Sequence, residues 1–274
     1  MARHFRVLFE QFTRWVLLLC ALCYLHHAAA ADKRTDPGLD EIGISGFDKS
    51  VASFPVVSPD DSVVAPTAFG ANTGDIFAGL SLNSGNPASH HYSSTLVLGL
   101  GWGDARTVSL TTSLSLAALP TVFQTGDLNF QLSHNFSPEA SVAVGVQNAF
   151  PYGANAPFGQ SYYVVGSRQF KLRPQAPHTL PLSVSLGVGN NSFGNAISTQ
   201  YTSAVAPFLS LGLDITPNFT LIAEEVGCVY NLGASISPGH AFPFVINLVS
   251  TNVLHYQGSY GSFAVTLAWG THLS

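Results

Sequence analysis

Charge is scarce in this chain. Asp, Glu, Lys and Arg make up 9% of its 274 residues, against the roughly 25% usual for soluble globular domains, so a water-facing surface of ordinary composition cannot be built from it. The shortage deepens along the sequence. Residues 75–274 hold seven acids (Asp75, Asp104, Asp127, Glu139, Asp214, Glu224, Glu225) and four bases (Arg106, Arg168, Lys171, Arg173). A net charge of -5 without clustered Lys and Arg excludes the electrostatic footprint of nucleic-acid binding. Cysteine is nearly missing too. Cys20 and Cys23 fall in an apolar run near the N terminus, and only Cys228 lies beyond it, so no intramolecular disulfide can staple the rest of the chain. After residue 31 no segment offers about 18 consecutive apolar residues, which excludes helical membrane spans there.

Signatures of bound cofactors are also lacking. Gly99, Gly101 and Gly103 spell G-x-G-x-G ahead of a strand, not the G-x-G-x-x-G that opens a helix; small residues that save space on an inner wall fit them better. His90 and His91 have no Cys or carboxylate nearby, so no metal is expected. There is no G-x-S-x-G, and His134 runs in phase with Leu128, Phe130 and Leu132. Catalysis by a serine with His134, His178, His240 or His255 is therefore not expected.

What the chain does have begins with an export signal. Arg3, His4, Arg6 and Arg14 precede the apolar run Trp15–Leu25, and Ala28–Ala31 follow it. That run is well short of the ~20 residues a spanning helix needs, so residues 1–31 read as a cleavable signal peptide. Residues 32–70 are richer in charge and carry Pro37, Pro55, Pro59 and Pro66 without a sustained period. They read as an extended arm, free to lie in the periplasm or to enter a lumen as a plug.

From residue 71 onward, period-two alternation dominates. Val108, Leu110, Leu114 and Leu116 oppose Ser109, Thr111, Ser113 and Ser115; Leu182, Val184, Leu186 and Val188 oppose Ser183, Ser185, Gly187 and Gly189. Each such strand has one oily face and one small polar face. Turn signals divide the region into about twelve strands, most of them near the 9 to 11 residues of a tilted membrane strand. Tight turns at 103–105, 136–139, 215–218 and 237–241 alternate with connections of ten or more residues at 84–93, 117–126, 149–160, 190–203 and 249–258, as in barrels with short turns at one end and long loops at the other. The connections at 171–179 and 227–228 have the wrong length for their ends.

A soluble sandwich would turn its polar faces to water and need Lys and Glu there; here that set is Ser, Gly, Thr and Ala. In a lipid-embedded barrel the oily face meets hydrocarbon and closure satisfies every backbone group. Aromatic residues toward both strand ends, among them Trp102, Phe136, Trp269, Tyr152 and Tyr162, fit the belts of such a barrel. The expected fold is thus all-β: a closed, antiparallel, up-and-down transmembrane β-barrel of about twelve strands.

On Thr67–Phe77 (TAFGANTGDIF), Val142–Ala149 (VAVGVQNA), Leu186–Phe193 (LGVGNNSF) and Asn231–Ile236 (NLGASI), the chain resembles the porin-like outer-membrane β-barrel proteins, and more narrowly a group of cyanobacterial-type barrels with no established activity. The resemblance implies a bacterial outer-membrane barrel. Such barrels usually end in an aromatic residue, whereas the last residues here are Trp269-Gly-Thr-His-Leu-Ser274.

Within the barrel, Glu224 alternates with Thr220 and Ile222 and is expected to face the interior, with Arg106, Arg168 and Arg173 as candidate partners or selectivity charges. The expected role is non-enzymatic: a small pore or a structural barrel in contact with membrane lipid, the barrel-insertion machinery and small solutes. An exported soluble β-sandwich that binds a ligand, or a barrel lipid hydrolase, are the alternatives. Pairing of the first and last strands separates barrel from sandwich.

Overall fold

The computed structural model describes residues 62, 64–84, 93–119, 124–153, 160–176, 178–193, 205–227, 229–238, 244–254 and 261–273. The chain divides into two compact units, Met1–Gly43 and Ile44–Ser274, and every described residue belongs to the second. The signal peptide expected at 1–31 and the arm as far as residue 61 lie outside the described residues.

Twelve strands follow one another: β1 (Asp75–Asn83), β2 (Ser93–Asp104), β3 (Val108–Leu119), β4 (Gly126–Ser137), β5 (Ala140–Gln147), β6 (Ser161–Lys171), β7 (Pro181–Gly189), β8 (Ala206–Thr216), β9 (Phe219–Val226), β10 (Val229–Ile236), β11 (Phe244–Thr251) and β12 (Ser262–His272). Each pairs antiparallel with its neighbours in sequence, and β1 pairs with β12 from Asp75↔His272 to Asn83↔Ala264, closing the barrel. The soluble sandwich is excluded, because a sandwich leaves edges and this ring has none.

The alternation read from the sequence sorts the two faces. Along β6 burial switches at every residue from Ser161 to Gln169. Leu98, Trp102, Leu132, Val144, Val164, Leu186, Leu221, Leu232, Phe263 and Leu267 lie exposed on the outside, while Ser141, Ser167, Ser183, Ser185, Ser210, Asn231 and Asn247 are buried on the inside. This is the reverse of a soluble protein.

The connections sort by end. In the tight turn between β2 and β3, Gly103 has φ 87 and a Cβ there would lie 2.4 Å from Val108 O, so only glycine turns the chain at that point. The β6–β7 connection, long by sequence, continues the hairpin ladder through Leu172 N–H to Leu180 O and Arg173 N–H to Thr179 O, so its closing turn is short after all. The β9–β10 connection remains brief, with Gly227 at φ 56.

Candidate functional site: the filled lumen

The inner wall is not empty. The segment before β1 starts at the short-turn end, where Thr73 N–H donates to Gly103 O (2.8 Å) and Asn72 Oδ1 accepts from Ala105 N–H (2.7 Å). It then crosses the interior. Ala71 N–H donates to Thr111 Oγ1 of β3, Phe69 O accepts from Gln131 Nε2 of β4, and Ala68 is held on both sides, its N–H donating to Ser167 Oγ and its carbonyl accepting from Ser141 Oγ, each at 2.8 Å. Small side chains make this approach possible. A Cβ on Gly70 would come within 2.7 Å of Ser133 Cβ and one on Gly101 within 2.3 Å of Asn72 O. Ala68 is fully buried and Ala65 nearly so.

On the far wall the segment meets Glu224 of β9, 4% exposed. The carboxylate accepts from Val64 N–H at 3.1 Å and 3.3 Å, from Ala65 N–H at 3.4 Å and from Ser210 Oγ at 3.2 Å. The Ser62 hydroxyl lies 2.5 Å from Glu224 Oε1 and 2.6 Å from Ala65 O, so its single proton serves one of the two at a time. Successive backbone N–H groups converging on an anion form a concave anion-binding turn, and hydrogen bonds to a charged group contribute about 1.5–3 kcal/mol each. Glu224 therefore acts as a clamp on the entering segment.

The inward orientation expected for Glu224 is what the barrel has. The cations proposed beside it are elsewhere. Arg106 is exposed in the β2–β3 turn, 2.9 Å from Asp104. Arg173 is exposed in the β6–β7 turn. Arg168 points outward, its guanidinium carbon 5.2 Å from the centroid of Phe170, because it stands in phase with the outer Val164 and not with the buried Ser167 and Gln169. None of the three lines the lumen. Glu225, next to Glu224, falls on the outer face by the same alternation.

A second filling is aromatic. Tyr163 of β6, Phe208 of β8 and Phe193, from the 3-10 turn Asn191–Phe193, cluster with ring centroids 4.9 to 6.5 Å apart, Phe193 stacked on Phe208. Ala65, Ala68, Ala143, Val165 and Val226 complete this core. Tyr163 OH donates to Gln131 Oε1 at 2.7 Å. Each inward ring lies over a glycine on the neighbouring strand: Gly145 opposite Tyr163, Gly187 opposite Phe208 and Gly99 opposite Phe77. A Cβ at these glycines would lie 2.3, 2.2 and 2.0 Å from ring carbon. The small polar set Ser, Gly, Thr and Ala is what the sequence leads one to expect for most of the inner wall; the inward Tyr163, Val165, Phe208 and Val226 depart from that, and the cross-strand glycines Gly145 and Gly187 are the signal that marks Tyr163 and Phe208.

Filling is uneven around the ring. Along β8 and β9 the inner positions Phe208, Ser210, Asp214, Thr220, Ile222 and Glu224 are buried, whereas Ala264, Thr266 and Ala268 of β12 and Gly79 and Ser81 of β1 stay half-exposed. Where β1 meets β12, the buried Asp75 accepts from Asn72 N–H at 2.6 Å and pairs with His272 at 2.8 Å. His134 and His178 contact the carbonyls of Thr107 and Asp214; among the described residues no histidine hydrogen-bonds to a serine hydroxyl. Also among the described residues, no group of three or more His, Cys, Asp or Glu is placed to hold a metal. His240 and His255 lie outside them.

No family model and no curated protein matches the chain. Among solved structures it is similar to a KdgM porin at 12% identity, over 72% of this chain and 99% of that one, with a TM-score of 0.45. The KdgM porin in complex with disordered oligogalacturonate is similar at 10% identity, over 73% and 99%, with a TM-score of 0.45. The CymD monoaromatic hydrocarbon channel is similar at 9% identity, over 85% and 98%, with a TM-score of 0.40. The fold stands on the strand pairing given above.

Proposed function

We propose that this chain is a bacterial outer-membrane barrel that serves as a small, self-plugged pore, exported by its N-terminal signal and inserted by the barrel-assembly machinery. The observation that carries the reading is the crossing of the lumen by residues 64–73, clamped at Glu224, inside a closed ring whose outer face is apolar. Lipid contact is supported by the outer face, where exposed Leu, Val and Phe of this extent suit hydrocarbon rather than water. Passage of small solutes is supported by the partly exposed wall of Ser, Thr, Ala and Gly along β12 and β1. No chemistry is assigned to the lumen, and the role is non-enzymatic. Within the porin-like barrels we place it with the cyanobacterial-type group, on the motifs Thr67–Phe77, Val142–Ala149, Leu186–Phe193 and Asn231–Ile236.

Conductance across planar bilayers tests it. Deleting residues 32–66 removes Ser62, Val64 and Ala65 from Glu224, and a several-fold rise in conductance over the full chain is expected. Equal conductance of the two forms would reject the plug. No conductance from either would leave a structural barrel, the reading favoured by the heavily buried wall of β8 and β9.

A further inference from the structure

All four Lys and Arg of residues 75–274 fall at the short-turn end of the barrel. Two are matched to acids: Arg106 with Asp104 at 2.9 Å, and Lys171 with Glu139 at 3.9 Å. Arg168 and Arg173 have no carboxylate partner among the described residues. Arg168 is the unusual one, because β6 presents it on the outer face, between cross-strand neighbours Ala140 and Val184. A guanidinium on a lipid-facing wall is costly unless it reaches a polar layer. Its place over the Phe170 ring, two residues nearer the turn on the same face, shows that the side chain runs along the wall toward the rim. The stem covers apolar surface and the fork of donors arrives at headgroup depth. The ring supports one face of the guanidinium, leaving its edge free for a bidentate acceptor.

We propose that Arg168, held over Phe170, binds the phosphate of an anionic phospholipid in the leaflet at the short-turn end, with Arg173 at the same rim adding to the field. The inference rests on the membrane reading above, since it needs lipid against the outer face. Charge complementarity selects the occupant. No acid of the described outer face stands next to Arg168, and the outward Glu225 belongs to the long-loop end of β9. A zwitterionic headgroup offers the same phosphate but brings an ammonium that the arginine repels.

The test uses the full chain in nanodiscs of mixed phosphatidylglycerol and phosphatidylcholine, with retained lipid identified by native mass spectrometry after detergent release. The wild type is expected to retain phosphatidylglycerol in preference. R168Q is expected to cut that preference about fivefold at low salt, R168K to lose part of it, and R106Q, whose charge is already matched by Asp104, to leave it intact. Heat-modifiable migration of each variant reports that the barrel has formed. Indifference of the wild type to the two lipids, or an undiminished preference in R168Q, overturns the inference while leaving the membrane reading in place. Failure of the folded chain to enter any bilayer overturns both.

Discussion

Glu224 is a buried acid whose described partners are all neutral, and its value to the molecule lies in what it holds. Two backbone N–H groups and a hydroxyl of the entering segment converge on it. E224A removes the acceptor for all of these at once and is expected to raise the open fraction in single-channel recordings at least about tenfold, the equivalent of a single charge-assisted hydrogen bond. E224Q, which keeps one acceptor oxygen, is expected to fall between. An unchanged open fraction in E224A would mean that the segment is held without Glu224, by its contacts to Thr111, Gln131, Ser141 and Ser167. The glycine and aromatic pairs act through packing instead. At Gly145 the atoms that a methyl would strike belong to the Tyr163 ring, so G145A is expected to cost about 1–3 kcal/mol by overpacking. The same change in a Y163A background should cost much less, a coupling that a double-mutant cycle on guanidinium unfolding in detergent micelles reads directly.

Strands and the arm differ in how far their sequence discloses them. In β3 and β7, oily and small polar residues alternate so cleanly that the two faces and the outward phase of Leu186 follow from the period alone. In β6 and β8 the runs Tyr162–Val165 and Phe208–Leu209 put apolar groups on both faces, and the inward Tyr163 and Phe208 cannot be told from wall residues until the neighbouring strands are aligned. The arginines elude sequence placement for a related reason: position near a turn locates a residue along the barrel axis but not inside or outside it, and only the strand phase of Arg168 decides that. The clamp itself is out of reach of local reading, because Ser62 and Glu224 stand 162 residues apart. At this scale the arm deletion is the informative change. It removes the clamp contacts and leaves every strand pair in the ladder, so conductance should rise while heat-modifiable migration persists.

Under the proposed function, the outer face of the whole barrel meets hydrocarbon. Leu186, 60% exposed, sits midway along β7, and L186R there is expected to destabilise the barrel by about 2–4 kcal/mol in lipid. Unfolding titrations in vesicles measure this; a change within experimental scatter would mean that water, not lipid, touches that face. The ring that presents this face also constrains how it can be made. Its seam joins Asp75 to His272, 197 residues along the chain, so the earliest wall segment must wait, with bare hydrogen-bonding edges, for the last one to be delivered. Such a contact is among the most distant this polypeptide can form, and distant contacts come slowly. Until then the nascent sheet is an open ribbon prone to join copies of itself, which makes shelter during biogenesis a requirement of the architecture.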